Sequence, residues 1–171
     1  MKERRFPTKT LTELSVIVAL SIILKDVLPP IYHLPQGGSI TIAGLVPLLW
    51  FTLRRGFRFG VFAGVIYGLV HMSLGGYVIN PVQGLLDYPL AFAALGLAGL
   101  FKKYPLVGVG VGIAGRFICS FLSGIIFFTS PTIEGAITSA VYNGTYLIGE
   151  FIISAIVIYI LIKRKLIDIY L

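Results

Sequence analysis

Six long apolar runs divide this chain, and the segments between them alternate in kind. The runs cover about 11 to 28, 39 to 53, 57 to 75, 82 to 101, 106 to 128 and 136 to 162. A helix needs roughly 20 mostly apolar residues to cross the ~30 Å hydrocarbon core of a bilayer. The pattern therefore predicts an all-α membrane protein, a six-transmembrane-helix bundle forming one integral-membrane domain over residues 1 to 171. The second run, SITIAGLVPLLWFTL, is short and holds Gly44 and Pro47, so alone it could be a re-entrant segment. Parity keeps it as a crossing, because without it Arg54, Arg55 and Arg58 would be exported. The first run ends in KDVLPP with no small-residue cleavage site and reads as a retained helix rather than a secretory signal.

The connecting segments set the orientation. Lys2, Arg4, Arg5 and Lys9, then Arg54, Arg55 and Arg58, then Lys102 and Lys103, then Lys163, Arg164 and Lys165 all fall on one side of a six-crossing bundle. Twelve of the 14 Lys and Arg lie there, with Lys25 outside and Arg116 within a span. The positive-inside rule makes that side, and both termini, cytoplasmic, in a multi-pass protein of the cell membrane. Composition agrees: 57% hydrophobic and 12% charged residues with a mean hydropathy of +0.94 exclude an ordinary soluble domain. The net charge of +7 is blocked at the inner face rather than spread over a nucleic-acid-binding surface. One cysteine, Cys119, excludes an internal disulfide, and no CxxC or His-rich cluster suggests a metal.

The external connections PPIYHLPQGG, GGYVINP and TSPTIEGA are rich in Gly, Pro and aromatic residues, where a lid or an entry mouth would lie; they could equally be plain connectors. Gly60, Gly64 and Gly68 share one face of the third run, and Ser15 and Ala19 share one face of the first. Such faces allow close helix approach, inside the bundle or against another membrane protein. No internal repeat of the inverted-repeat transporter kind is visible.

Charges inside a bilayer cost several kcal/mol near its centre and usually face a bundle interior or a wet cavity. Here they are Asp87, Arg116 and Glu150, with His71 and Glu13 nearer the span ends. Asp87 and Asn143 each lie six or seven residues into inward-going helices, ~10 Å below the external surface at ~1.5 Å per residue. Arg116, Ser120 and Gly124 stack at i, i+4 and i+8, with Phe128 at the outer end; Asn143, Tyr146 and Glu150 line the last span likewise. With Tyr77, Tyr88 and Tyr142 nearby, these groups could form an outward-facing pocket whose two carboxylates exceed its one guanidinium. Such a pocket suits a flat aromatic cation. The competing reading is a structural Asp87–Arg116 pair fixing helix register.

The segments LPQGGSITIAGLVPLL, LRRG, PVQGLLDYPLAFAALGLAGLF, GRFICSFLSGIIFF and VYNGTYLIGE resemble the thiamine-specific substrate-binding subunits of energy-coupling factor transporters, in order, from about residue 12 to 160. The resemblance implies a six-helix bundle that captures thiamine near the external face beneath a loop. It implies binding positions at Tyr77, Asp87, Tyr88, Arg116, Phe128 and Asn143, and a scaffold-facing small-residue face at Ser15 and Ala19. It also implies the partners: a membrane scaffold subunit and two cytoplasmic ATPases, with the binding subunit toppling in the bilayer to release its cargo. Ser120 departs from the family, which commonly has histidine there; serine keeps one donor and one acceptor but is shorter, so a thiamine precursor or another vitamin stays open as the ligand. No GxxxxGK[ST] motif occurs, so the chain supplies no ATPase of its own, and no nucleophile–base pair or cofactor motif points to an enzyme. A standalone ion-coupled carrier, using Asp87, Arg116 and Glu150 as a relay, and a ligand-free assembly subunit are the other classes.

Overall fold

The computed structural model describes residues 8–164. They form six helical rods and one two-stranded ribbon. Helix α1 (Thr8–Ile22) runs on through a π-helical turn (Ile23–Val27). The ribbon follows: β1 (Tyr32–His33) pairs antiparallel with β2 (Ser39–Ile40), with Tyr32 opposite Ile40. Then come α2 (Val46–Arg55) and α3 (Phe57–Ser73), and the longer α4 (Pro81–Leu100), α5 (Pro105–Phe128) and α6 (Ile133–Lys163). The last three are long and apolar enough to cross a membrane. The basic residues Lys2, Arg4, Arg5 and Lys165, which help set the expected orientation, lie outside the described residues.

The second apolar run differs from expectation. Only Val46–Arg55 is helical, about 15 Å of rise, and the preceding residues 39–45 are strand and bend. Pro47 explains the boundary: its fixed φ and missing N–H suit the first helical turn and not a later one. Helix α2 is sheathed by its neighbours, with Leu48, Leu49, Phe51 and Leu53 at 0 to 1% exposure. A helix buried on nearly every side reads as continuously apolar whether or not it spans a bilayer.

The glycine ladder is internal packing. A Cβ on Gly64 would run into the Phe92 carbonyl, and one on Gly68 would lie 2.6 Å from the Tyr88 oxygen, so α3 meets α4 backbone to backbone; Gly60 makes room for the Thr52 side chain of α2. Beneath this contact Tyr67, Phe92, Leu95, Ala98 and Val109 close the core with no exposed surface. At the basic end, Glu13 of α1 receives Arg55 through two hydrogen bonds, 2.7 and 2.5 Å long. Lys102 donates to the Arg54 carbonyl at 3.0 Å, satisfying a helix C-terminus that would otherwise be orphaned.

Three rods contain a π turn, each towards the end away from these basic residues, and α4 also tightens to a 3-10 helix over Leu95–Leu100. π-Helical turns occur at Ile23–Val27, Leu86–Leu90 and Gly124–Phe128. In α4 the turn contains Pro89, whose ring forbids the regular i→i−4 bond. Such turns recur at functional sites because they re-aim side chains. Here they carry Lys25, Asp87, Tyr88, Gly124 and Phe128.

Candidate functional site

A cavity of about 220 Å³ opens at the end carrying the π turns. Ten of the eleven ligand-binding candidates read from the sequence line it: Tyr77, Asp87, Tyr88, Arg116, Ser120, Gly124, Phe128, Tyr142, Asn143 and Tyr146. The exception is Glu150, expected here as a second pocket carboxylate. It lies on the same helical stripe as Asn143 and Tyr146 but below the cavity, fully buried. There it pairs with Lys25 at 3.1 Å.

Lys25, at the end of the first apolar run, is not solvated: its side chain is 3% exposed and turned inwards to Glu150. Two unpaired charges would each carry a desolvation cost of several kcal/mol; as a hydrogen-bonded pair they offset much of it. The neighbouring Asp26 turns the other way. Tyr67 donates to its Oδ2 at 3.1 Å, and its Oδ1 lies 2.5 Å from His71 Nδ1, off the line of a good hydrogen bond.

Asp87 and Arg116 do not form the register-fixing pair that spacing left open. The Asp87 carboxylate instead accepts from Gln83 Nε2 and from Ser123 Oγ, both at 2.7 Å and both on Oδ2. Gln83 in turn donates to the Tyr77 carbonyl at 3.1 Å, so one amide ties the mouth of the cavity to the acid. Arg116 is 6% exposed, with its guanidinium 4.2 Å above the Phe92 ring. Its Nε and Nη1 have no hydrogen-bond partner. A buried guanidinium with idle donors at a cavity wall is poised for an acceptor on an occupant.

The opposite wall is α6 against α5. Asn143 Nδ2 donates to the Ser120 and Ser139 carbonyls at 3.2 and 3.0 Å, and its Oδ1 receives Tyr146 Oη at 3.0 Å. Its amide thus holds the helices together at the cavity wall. Gly124 is needed at this crossing, because a Cβ there would overlap Ser139 Oγ. Tyr77 and Phe128 stand at the mouth with ring centroids 6.1 Å apart.

The segment between α1 and α2 roofs the cavity. Gln36, Gly37, Gly38 and Ser39 line it from above. Tyr142 Oη donates to the Pro35 carbonyl and accepts from Gly38 N at 3.0 Å. Gln36 and Gly37 have φ of 66° and 98°, the left-handed region that the PQGG stretch accommodates. The PPIYHLPQGG connection therefore covers the cavity.

Among the lining residues missed by the sequence reading are Lys25, His71, Gln83, Phe92, Thr138 and Ser139. Gln83 was the discoverable one, since it stands one helical turn before Asp87. His71 packs among Tyr67, Tyr88 and Phe92, with centroids 5.4 to 5.6 Å away. Of the described Lys, Arg, Asp and Glu side chains only Lys25, Asp87 and Arg116 line the cavity, and Lys25 is paired with Glu150, so the expected excess of carboxylates over the one guanidinium is not found in the lining. Ser15 and Ala19 are exposed on the outer side of α1. Among the described residues no cluster of three or more His, Cys, Asp or Glu could hold a metal ion.

Residues 11–169 match the family described as thiamine transporter protein. The chain is 34% identical to the thiamine transporter ThiT of Bacillus subtilis (strain 168), over 88% of each chain. It is 28% identical to that of Lacticaseibacillus paracasei, over 70% of this chain and 71% of the relative. The solved structure of ThiT from Listeria monocytogenes superposes with a TM-score of 0.81 at 25% identity, covering 92% of this chain and 94% of that one. The match spans every rod that builds the cavity, and the chain belongs to the thiamine transporter protein family.

Proposed function

We propose that this chain is the substrate-binding membrane subunit of an energy-coupling factor transporter, and that its cavity captures thiamine from the external side. The observation that carries this reading is Asp87. Its carboxylate is fixed by Gln83 and Ser123, belongs to the lining of the roofed cavity, and forms no ion pair among the described residues. A cationic ligand supplies the missing charge, and in a site of low dielectric that attraction is far stronger than in water. Tyr77, Tyr88, Phe128 and Tyr146 offer ring faces to its flat rings. Arg116 donates to a ring nitrogen, and Ser120 and Asn143 complete the polar edge.

In this reading all six rods cross the bilayer or lie within it, both termini are cytoplasmic, and residues 1 to 171 form a single domain. The Ser15 and Ala19 face of α1 meets a scaffold subunit, and two cytoplasmic ATPases supply the energy. Calorimetry of the purified protein against thiamine, its phosphates and its pyrimidine moiety tests the assignment. Saturable binding of thiamine supports it; binding of the pyrimidine alone, with thiamine excluded, replaces thiamine by a precursor.

A further inference from the structure

Both ends of the cavity's roof converge on one buried oxygen. Lys25, on the π turn where the chain leaves α1, donates to Glu150 Oε1 at 3.1 Å. Thr41, the first residue after β2, donates to the same oxygen from its backbone N–H at 3.1 Å and from Oγ1 at 2.8 Å. Lys25 Nζ also reaches Ser39 Oγ at 3.5 Å. Glu150 and Thr41 are at 0% exposure, so these charge-assisted bonds are shielded from water and from salt. Alongside them Ile40 rests on Gly149, where a Cβ would come within 2.6 Å of the Ile40 side chain. Thr41 Oγ1 then accepts from Gly44 N at 3.2 Å, closing the bend that leads into α2.

Nothing in the cavity requires this arrangement. Glu150 does not line it, yet the segment it holds supplies the four roof residues Gln36 to Ser39. The crown of the same segment is caught by Tyr142, eight residues earlier on α6 and so ~12 Å away along its axis. One helix therefore holds the roof at crown and root. We infer that Glu150 is the positioning residue of the lid: its Oε1 clasps both roots of residues 28–41, and so governs how quickly the roof lifts and a bound ligand escapes. The inference rests on the reading of this cavity as a thiamine site only for the identity of the ligand that escapes. The clasp itself is a property of the ligand-free chain.

The test is amide hydrogen exchange of the purified full-length protein, read at Ile31 and Leu34, whose N–H groups close the roof on the Ile40 and Gly38 carbonyls at 2.8 and 2.7 Å. Glu150→Gln keeps an acceptor for Thr41 but removes the charge that holds Lys25, and exchange at both amides should accelerate by about tenfold or more, since breaking a buried pair is strongly destabilising locally. The double variant Lys25→Met with Glu150→Gln leaves no bare buried charge and should fold with a native-like melt while still freeing the incoming root. With radiolabelled thiamine as probe, dissociation should accelerate by a similar factor while association changes by less than about threefold, as expected when a change acts on the bound state. Exchange at Ile31 and Leu34 within about twofold of the parent in the folded double variant would overturn the clasp. Failure of the parent protein to bind thiamine, with exchange still accelerated in the variants, would overturn the ligand assignment and leave the clasp standing.

Discussion

At Asp87 two neutral donors hold a carboxylate that forms no ion pair among the described residues. Gln83 and Ser123 both donate to Oδ2, and the residue lines the cavity. Replacing it by asparagine keeps the shape and one acceptor but removes the charge. Asp87→Asn should weaken thiamine binding ten- to thousandfold, about 1.4 to 4 kcal/mol, while the thermal transition in detergent stays within a few degrees; calorimetry beside a melt of the same sample reads both. Unchanged affinity in a well-folded variant would remove that side chain from the site. Tyr142 acts through a different link, since its hydroxyl touches the roof at Pro35 and Gly38. Tyr142→Phe should leave the association rate of radiolabelled thiamine nearly unchanged and speed its dissociation several-fold, the loss of about 1 kcal/mol expected for neutral hydrogen bonds. Ser120 is where the expected histidine is missing, and with 5% of its surface exposed it leaves the ring-sized space to the ligand or to its neighbours.

Among the helices, what decides the site is how closely α3 and α4 approach. Gly64 lets the Phe92 carbonyl of α4 sit where a side chain would be, whereas Gly144 on α6 has nothing within 4 Å of an added Cβ. Gly64→Ala should therefore cost about 1 to 3 kcal/mol by forcing the helices apart, and should also lower thiamine affinity because Asp87 rides on α4. Gly144→Ala should be neutral or slightly stabilising through helix propensity. Paired thermal melts and titrations check the contrast. The stripe Arg116, Ser120, Gly124, Phe128 was readable because spacing of four places side chains on one helical face. A stripe gives a face but not a depth, and so Glu150 was assigned to a cavity that ends above it. Lys25 was invisible in a different way: a lysine at the end of an apolar run looks solvated, and its partner lies 125 positions away. The π turns left no readable trace beyond Pro89, yet they aim Asp87 and Phe128. The PPIYHLPQGG connection was recognisable as specified turn chemistry; its attachment to α6 was not, being made through single contacts at Tyr142, Gly149 and Glu150.

For the whole molecule the cavity and the core are stacked, and that arrangement constrains transport. The site lies in the half of the bundle carrying the π turns, under its own roof. Below it Phe51, Phe92, Leu95 and Ala98 fill the interior with no exposed surface. A ligand passing straight through the chain would have to break that close-packed layer, at a cost comparable with the stability of a domain. Release to the other side is easier if the whole body reorients, and reorientation needs an outside grip and an energy source. In the proposed function the exposed α1 face is that grip, with Ser15 and Ala19 one turn apart and small enough for another helix to approach closely. The sequence holds no phosphate-binding loop motif, and in the proposed function ATP hydrolysis falls to a partner. The purified chain reconstituted alone in vesicles should therefore bind radiolabelled thiamine without accumulating it, with or without ATP inside. Adding a scaffold subunit and its ATPases should switch on uptake. Ala19→Leu, which fills the grip without touching the cavity, should leave affinity within about twofold but cut uptake by the assembled transporter about tenfold or more, the scale of losing one to three kcal/mol of helix packing. Uptake by the chain alone, driven by a proton or sodium gradient, would instead make it a self-sufficient carrier and require a path through the layer that Phe92 now closes.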